Sequence, residues 1–120
     1  MGQLSESAFL ELADETLEAL DGAFEAAADQ SGADIETTRK GGILEVEFAD
    51  RSKIIINSQA PMREIWVAAK SGGFHFRWDG PEAPGGIDDG TWVDTRDGGE
   101  LFAALSRLAG QQAGIPLQLA

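Results

Sequence analysis

Apolar residues in the first part of the chain recur at the spacing of an α-helix. Between residues 5 and about 29 they lie three or four positions apart, at Phe9, Ala13, Leu17, Leu20, Phe24 and Ala27. Acidic residues follow the same period, at Glu11, Asp14, Glu18, Asp21, Glu25 and Asp29. At ~100° of rotation per residue, the acidic set lies roughly 130° from the apolar set. The pattern therefore predicts an amphipathic helix with one face in the core and an anionic face in water.

After Gly32 the pattern changes to the two-residue alternation that is typical of β-strands. The pair Gly41-Gly42 separates the first two predicted strands, because glycines accept the positive φ of a tight hairpin turn. We expect strands near residues 34–40, 44–48, 53–57, 65–68, 74–78 and 91–95. Short turns between most of them make this an antiparallel meander.

Alternation in the fourth and fifth predicted strands assigns their two faces. The apolar positions that would point to the core are Ile65, Val67, Phe74, Phe76 and Trp78. Trp66, His75 and Arg77 then lie on the outer face of the sheet. An exposed Trp suits a partner anchor, since Trp is enriched in interface hot spots. The alternative is that the Trp66 ring is buried in the core.

The C-terminal part predicts a second helix and completes the fold class. Asp97 and Glu100 have the spacing of a capping box, and Gly114 and Pro116 are expected to end the helix. Its apolar side is formed by Leu101, Leu105, Leu108 and Ala109. Residues 1–120 should form one α+β domain, a two-layer α-β sandwich with both terminal helices on one face of an antiparallel sheet of about six strands. Residues 79–90, which are rich in Gly and Pro, are expected to be a mobile loop.

Charge is distributed very unevenly along the chain. Ten carboxylates and no Lys or Arg precede Arg39, in a chain whose net charge is −12. A field of one sign on one element attracts cations and basic partners. Phosphate repulsion argues against binding to nucleic acid or to anionic membranes. The start lacks the pattern of a signal peptide, and no apolar stretch reaches membrane-spanning length, so we expect a soluble cytoplasmic protein.

The candidate chemistry lies in carboxylates. The absence of Cys excludes disulfides and thiolate metal sites, and a single His excludes multi-histidine centres. We see no nucleophile with a base, so we do not expect an enzyme. Carboxylates at i,i+3 and i,i+4 lie ~5 to 6 Å apart at Cβ, close enough for two to share one hard cation weakly. Such a site would choose poorly among Mg, Ca, Mn and Fe, and the alternative is a merely solvated helix face.

The central part of the sequence closely resembles bacterial frataxins. The resemblance is carried by Lys53-Ile54-Ile55-Ile56-Asn57, Gln59, Pro61, Ile65-Trp66-Val67, Ala69-Lys70 and Gly72-Gly73-Phe74-His75-Phe76. It extends through Leu12-Ala13-Asp14, Gly41-Gly42 and Gln111-Gln112-Ala113-Gly114 to most of the chain. In place of the acids that such proteins crowd at the end of the first helix, this chain has Ala26-Ala27-Ala28.

The resemblance implies the same α-β sandwich and a role in iron–sulfur cluster assembly. It implies weak binding of ferrous and ferric iron on an acidic ridge formed by Glu18, Asp21, Glu25, Asp29, Asp34 and Glu36. It also implies a regulatory monomer that binds the cysteine desulfurase and the scaffold protein through Glu18, Asp21, Glu25, Trp66 and His75. Two alternatives stay open: a ferroxidase or iron-storage enzyme, and an acidic mimic that inhibits a basic protein.

Overall fold

The computed structural model describes residues 3–119, which form two helices and one six-stranded sheet. In chain order the elements are α1 (Glu6–Ser31), β1 (Ile35–Lys40), β2 (Ile43–Phe48), β3 (Lys53–Gln59), β4 (Glu64–Ala69), β5 (Gly72–Asp79), β6 (Thr91–Asp94) and α2 (Leu101–Ala113). The strands lie in sequence order from β1 to β6, and each neighbouring pair is antiparallel. The predicted fold class is confirmed. Within the described residues, neither helix combines the length and apolar character needed to cross a membrane.

The first helix, Glu6–Ser31, ends about two residues beyond its predicted end and is capped at both ends. The Ser5 hydroxyl accepts a hydrogen bond from the Ala8 amide at 3.1 Å, which satisfies one of the free donors of the first turn. At the other end Gly32 has φ of 77°, and its N–H donates to the Ala28 carbonyl. Glycine suits this left-handed position because it has no Cβ. The helix can therefore continue to Ser31 before the chain turns into β1.

The core lies between the helices and one face of the sheet. The apolar stripe of α1 is buried as predicted, and the fully buried large side chains include Phe9, Leu17, Leu20, Phe24, Leu44, Ile54, Ile56, Ile65, Phe76, Leu101, Leu105 and Leu108. Each such side chain stabilises the fold by roughly 1.5–3 kcal/mol relative to an exposed position. α1 packs mainly above β1, an edge strand, and so the opposite side of the helix is left in water along that edge.

The start of α2 corrects the predicted capping box. Glu100, not Asp97, is the N-cap, and its carboxylate accepts from the amides of Phe102 at 2.8 Å and Ala103 at 3.0 Å. A bridge between Val93 and Glu100 keeps Glu100 extended beside β6. The helix therefore cannot begin until this contact with the sheet ends. Asp97 instead accepts from the Gly99 amide, within the preceding turn.

The segment between β5 and β6 has a defined path. It contains a short 3-10 turn, Ile87–Asp89, whose Ile87 packs against the core. The indole of Trp78 donates to the Pro81 carbonyl at 3.0 Å, and the Gly85 amide donates to Asp89 at 2.6 Å. The 3-10 turn also contacts α1, and the mobility of residues 79–90 stays a prediction.

Candidate functional site

The acidic ridge lies along the exposed side of α1 and the neighbouring edge of the sheet. We keep this name for the six carboxylates predicted from the sequence, Glu18, Asp21, Glu25, Asp29, Asp34 and Glu36. Five of them are exposed and Asp21 is half-buried. Because α1 is one unbroken helix, its four members share one side and follow each other at about one turn. Asp34 precedes β1, which begins at Ile35, and Glu36 lies on the outer face of that strand.

The placement of these acids does not help the helix itself. Glu25 and Asp29 lie near the C-terminal end of α1, where the helix dipole disfavours a negative charge. The last turn of α1 contains no basic residue that would compensate. Helix stability therefore gives no reason for these carboxylates.

The ridge carboxylates have few partners within the protein. Arg39 forms an ion pair with Asp14, one turn before the ridge. Across residues 3–119, none of the six ridge members takes part in an ion pair. The Oδ1 atom of Asp21 is buried and accepts no hydrogen bond from the described residues. A buried oxygen without a donor is unusual in a native protein.

The ridge is spread out and does not converge. In the described part of the chain, no three Asp, Glu or His side chains form a group that could hold a metal ion. The arrangement is a row of carboxylates on a convex surface, in which a cation would meet one or two protein oxygens and otherwise water. Oxygen ligands of this kind suit hard cations.

The acidic surface continues from β1 onto the outer face of β2. Glu36 lies opposite Glu47 in the register of β1 and β2. Lys53 on β3 reaches Glu45 at 3.0 Å, and the hydrogen bond and charge of that carboxylate raise the pKa of Lys53. The outer face is thus partly neutralised at β3, and the acidic surface ends there.

A second feature, on the outer face of β4 and β5, is an aromatic pair. Trp66 and His75 are cross-strand neighbours, and their rings stack with centroids 4.2 Å apart and planes at 5°. Trp66 is half-buried and His75 is exposed, and neither belongs to the core. Trp66 therefore lies on the face that the alternation predicted, and the alternative of a ring in the core is wrong.

Sequence reasoning missed Glu64, which lies beside this pair on the same face of β4. Its side chain is only 4% exposed although it is on the outer face. One oxygen accepts from the indole Nε1 of Trp66 at 2.8 Å, and the other accepts from Arg77 at 3.1 Å. His75 Nδ1 lies 3.6 Å from the first oxygen. The available signal was that Glu64 and Trp66 are two positions apart, which places both on one face of a strand.

The fold and the two surfaces define a class of protein, an α-β sandwich with an acidic helix at one sheet edge and an aromatic patch on the open sheet face. A family model described as "Frataxin-like domain" matches residues 2–115. The chain belongs to this family.

Curated relatives match over nearly their whole length. The "Iron-sulfur cluster assembly protein CyaY" of Cupriavidus metallidurans is 58% identical over 119 residues, which is 99% of each chain. The protein of the same name from Cupriavidus taiwanensis is 56% identical over 117 residues, 98% of this chain and 97% of the relative. Among solved structures, the frataxin of Psychromonas ingrahamii aligns with a TM-score of 0.77 at 28% identity, covering 98% of this chain and 99% of that one.

Proposed function

We propose that this protein is an iron-binding regulatory adaptor of iron–sulfur cluster assembly and that it is not itself an enzyme. The observation that carries the proposal is the row of carboxylates without ion-pair partners among residues 3–119, in a chain 58% identical to a protein named for iron–sulfur cluster assembly. The acidic ridge would bind ferrous or ferric iron weakly and would also dock on the assembly machinery.

The chemistry of the ridge supports the proposal of iron binding. Carboxylate oxygens at helical spacing offer one or two ligands to a hard cation. Binding of this kind keeps most of the water on the metal, so it is weak and sensitive to salt. Other divalent cations should compete with ferrous iron, because open oxygen sites discriminate little.

Docking on a protein uses the same charge. A ridge of one sign guides a basic surface toward it and fixes the orientation of the complex. We propose the cysteine desulfurase as the partner of the ridge and the scaffold complex as the partner of the sheet face around Trp66 and His75. Iron and the desulfurase would then compete for Glu18, Asp21 and Glu25. This competition is a physical route from iron concentration to the rate of cluster assembly.

Charge reversal on the ridge tests the proposal. The double variant D21K/E25K should weaken binding to the cysteine desulfurase at least about tenfold at low salt, because like charges then face each other across the interface. Isothermal titration calorimetry with purified desulfurase would measure the loss, and circular dichroism would verify the fold.

The matched control is E82K/D88K, which changes the net charge equally at two exposed positions of the 79–90 segment. The affinity of this control variant for the desulfurase should stay close to that of the native chain. Equal affinities for D21K/E25K and the native chain would refute docking through the ridge. Equal losses in both double variants would show that only total charge matters.

A further inference from the structure

Four side chains form one block on the outer face of β4 and β5. In the register of the two strands, Glu64 faces Arg77 and Trp66 faces His75. Residues two apart on a strand share a face, so all four lie together. The stacked rings occupy one half of the block, and the carboxylate and guanidinium occupy the other.

The carboxylate of Glu64 fixes both halves. Each of its oxygens holds one donor, the indole N–H of Trp66 on β4 and the guanidinium of Arg77 on β5. Because the carboxylate is buried, loss of either donor would leave a desolvated acceptor without a partner, which is unfavourable. The indole therefore cannot rotate freely about its side-chain bonds. Its nitrogen edge points toward Glu64, and this orientation also aligns its plane with the His75 ring.

Arg77 is held in place by Glu64 and still has N–H donors free to bind a partner. Its side chain is 64% exposed, and it gives one nitrogen to Glu64. A guanidinium has five N–H donors, so others stay directed at solvent. The surface thus offers a fixed aromatic pair beside a fixed, partly free cation. Trp and Arg are among the residues enriched in interface hot spots, and side chains already ordered lose less entropy on binding.

We infer that Glu64 is a positioning residue that orders Trp66 and Arg77 for docking on the assembly complex. The inference rests on the proposed function for its partner. A partner surface that fits this block would present an apolar group to the stacked rings. To Arg77 it would present an acceptor, either a carboxylate or a backbone carbonyl. Glu64 acts through its two donors and makes no contact with the partner itself.

Two substitutions at position 64 separate positioning from simple packing. E64M keeps a side chain of similar length but removes both acceptors. E64Q keeps an amide oxygen that can still accept from the Trp66 indole, although it loses the charge that holds Arg77. A matched control is Q59M, since Gln59 faces Glu64 from β3 on the same face and donates to Asn57 instead of to the block.

The first measurement is made on the free protein by NMR. The indole N–H resonance of Trp66, assigned by its loss in W66F, should shift and exchange faster with water in E64M. In E64Q and Q59M it should stay close to its native position. An unshifted resonance in E64M would overturn the claim that Glu64 orients the ring, and this result needs no partner.

The second measurement is affinity for the desulfurase–scaffold complex by calorimetry. W66A should bind most weakly, E64M should bind about tenfold more weakly than the native chain, and E64Q should lose less. A tenfold loss corresponds to about 1.4 kcal/mol, which is the order expected for ordering one or two side chains at an interface. Q59M should bind like the native chain.

The outcomes distinguish this inference from the proposed function. If W66A weakens binding but E64M does not, docking through the sheet face holds and the positioning role of Glu64 is overturned. If W66A binds like the native chain, the sheet face does not dock, and the inference falls with it. Thermal unfolding of each variant shows whether a loss of affinity comes from a loss of fold.

Discussion

Thr16 shows how one buried hydroxyl joins the first helix to β6, the edge strand opposite β1. Its Oγ1 donates to the Leu12 carbonyl at 2.7 Å and accepts from the indole Nε1 of Trp92 at 3.0 Å. The Trp92 ring also packs edge-on against Phe9 and Trp78. A threonine within an apolar stripe would be unfavourable on its own. Here it satisfies a Trp N–H that would otherwise be buried without an acceptor.

Replacing Thr16 with Val should therefore destabilise the protein although the side-chain shape is kept. The free energy of unfolding should fall by about 1–3 kcal/mol, the cost of a buried donor left unpaired. Urea denaturation followed by circular dichroism would measure it. In the W92F background the same T16V change should cost less, because no indole N–H is left without a partner. Equal costs in the two backgrounds would contradict this account.

Glu64 marks the limit of sequence reasoning at the scale of residues. Alternation along the chain placed Trp66, His75 and Arg77 on the outer face, and the structure agrees. The burial of Glu64 depends on which residues of β5 lie opposite it, and a single sequence does not show this register. The same holds for Thr16, whose partner Trp92 lies 76 positions away.

At the scale of elements, the start of α2 gives a direct test of a corrected prediction. E100A removes the carboxylate that accepts from two amides of the first turn, so the free energy of unfolding should fall by about 1 kcal/mol. D97A removes an exposed contact with Gly99 and should cost less. Chemical denaturation of both variants would show which of them loses more unfolding free energy. A larger cost for D97A would mean that the capping box read from the sequence is the real start of the helix.

Most elements were predictable because each has one buried face and one solvent-exposed face. The hairpin at Gly41-Gly42 and the alternation through Leu44, Val46 and Phe48 identified two strands within about two residues of their observed ends. The 79–90 segment was not predictable in the same way. Its 3-10 turn depends on contacts of Ile87 with the core and of Trp78 with Pro81, which arise only after the chain has folded.

For the whole molecule, the sheet order separates the two candidate surfaces. The acidic ridge follows α1 and the β1 edge, whereas the Trp66 and Arg77 block is on β4 and β5, with β2 and β3 between them. Neighbouring strands are ~4.8 Å apart, so β1 and β4 are separated by about 14 Å. In the proposed adaptor, each surface would therefore meet a different part of the assembly complex, and one contact would not require the other.

This separation makes a quantitative prediction for combined variants. For binding to the desulfurase–scaffold complex, the losses of binding free energy in D21K/E25K and in W66A should add within about 0.5 kcal/mol in the triple variant, as for sites with no shared contacts.

Calorimetry with the same complex at two salt concentrations adds a second criterion. The ridge contribution should shrink as salt rises, because the charges are exposed and screened beyond a Debye length of about 8–10 Å. The Trp66 contribution should change little, since it comes from buried apolar area and stacking. Strong non-additivity, or equal salt dependence of both losses, would mean that the ridge and the sheet face act as one surface and that iron on the ridge could block both contacts at once.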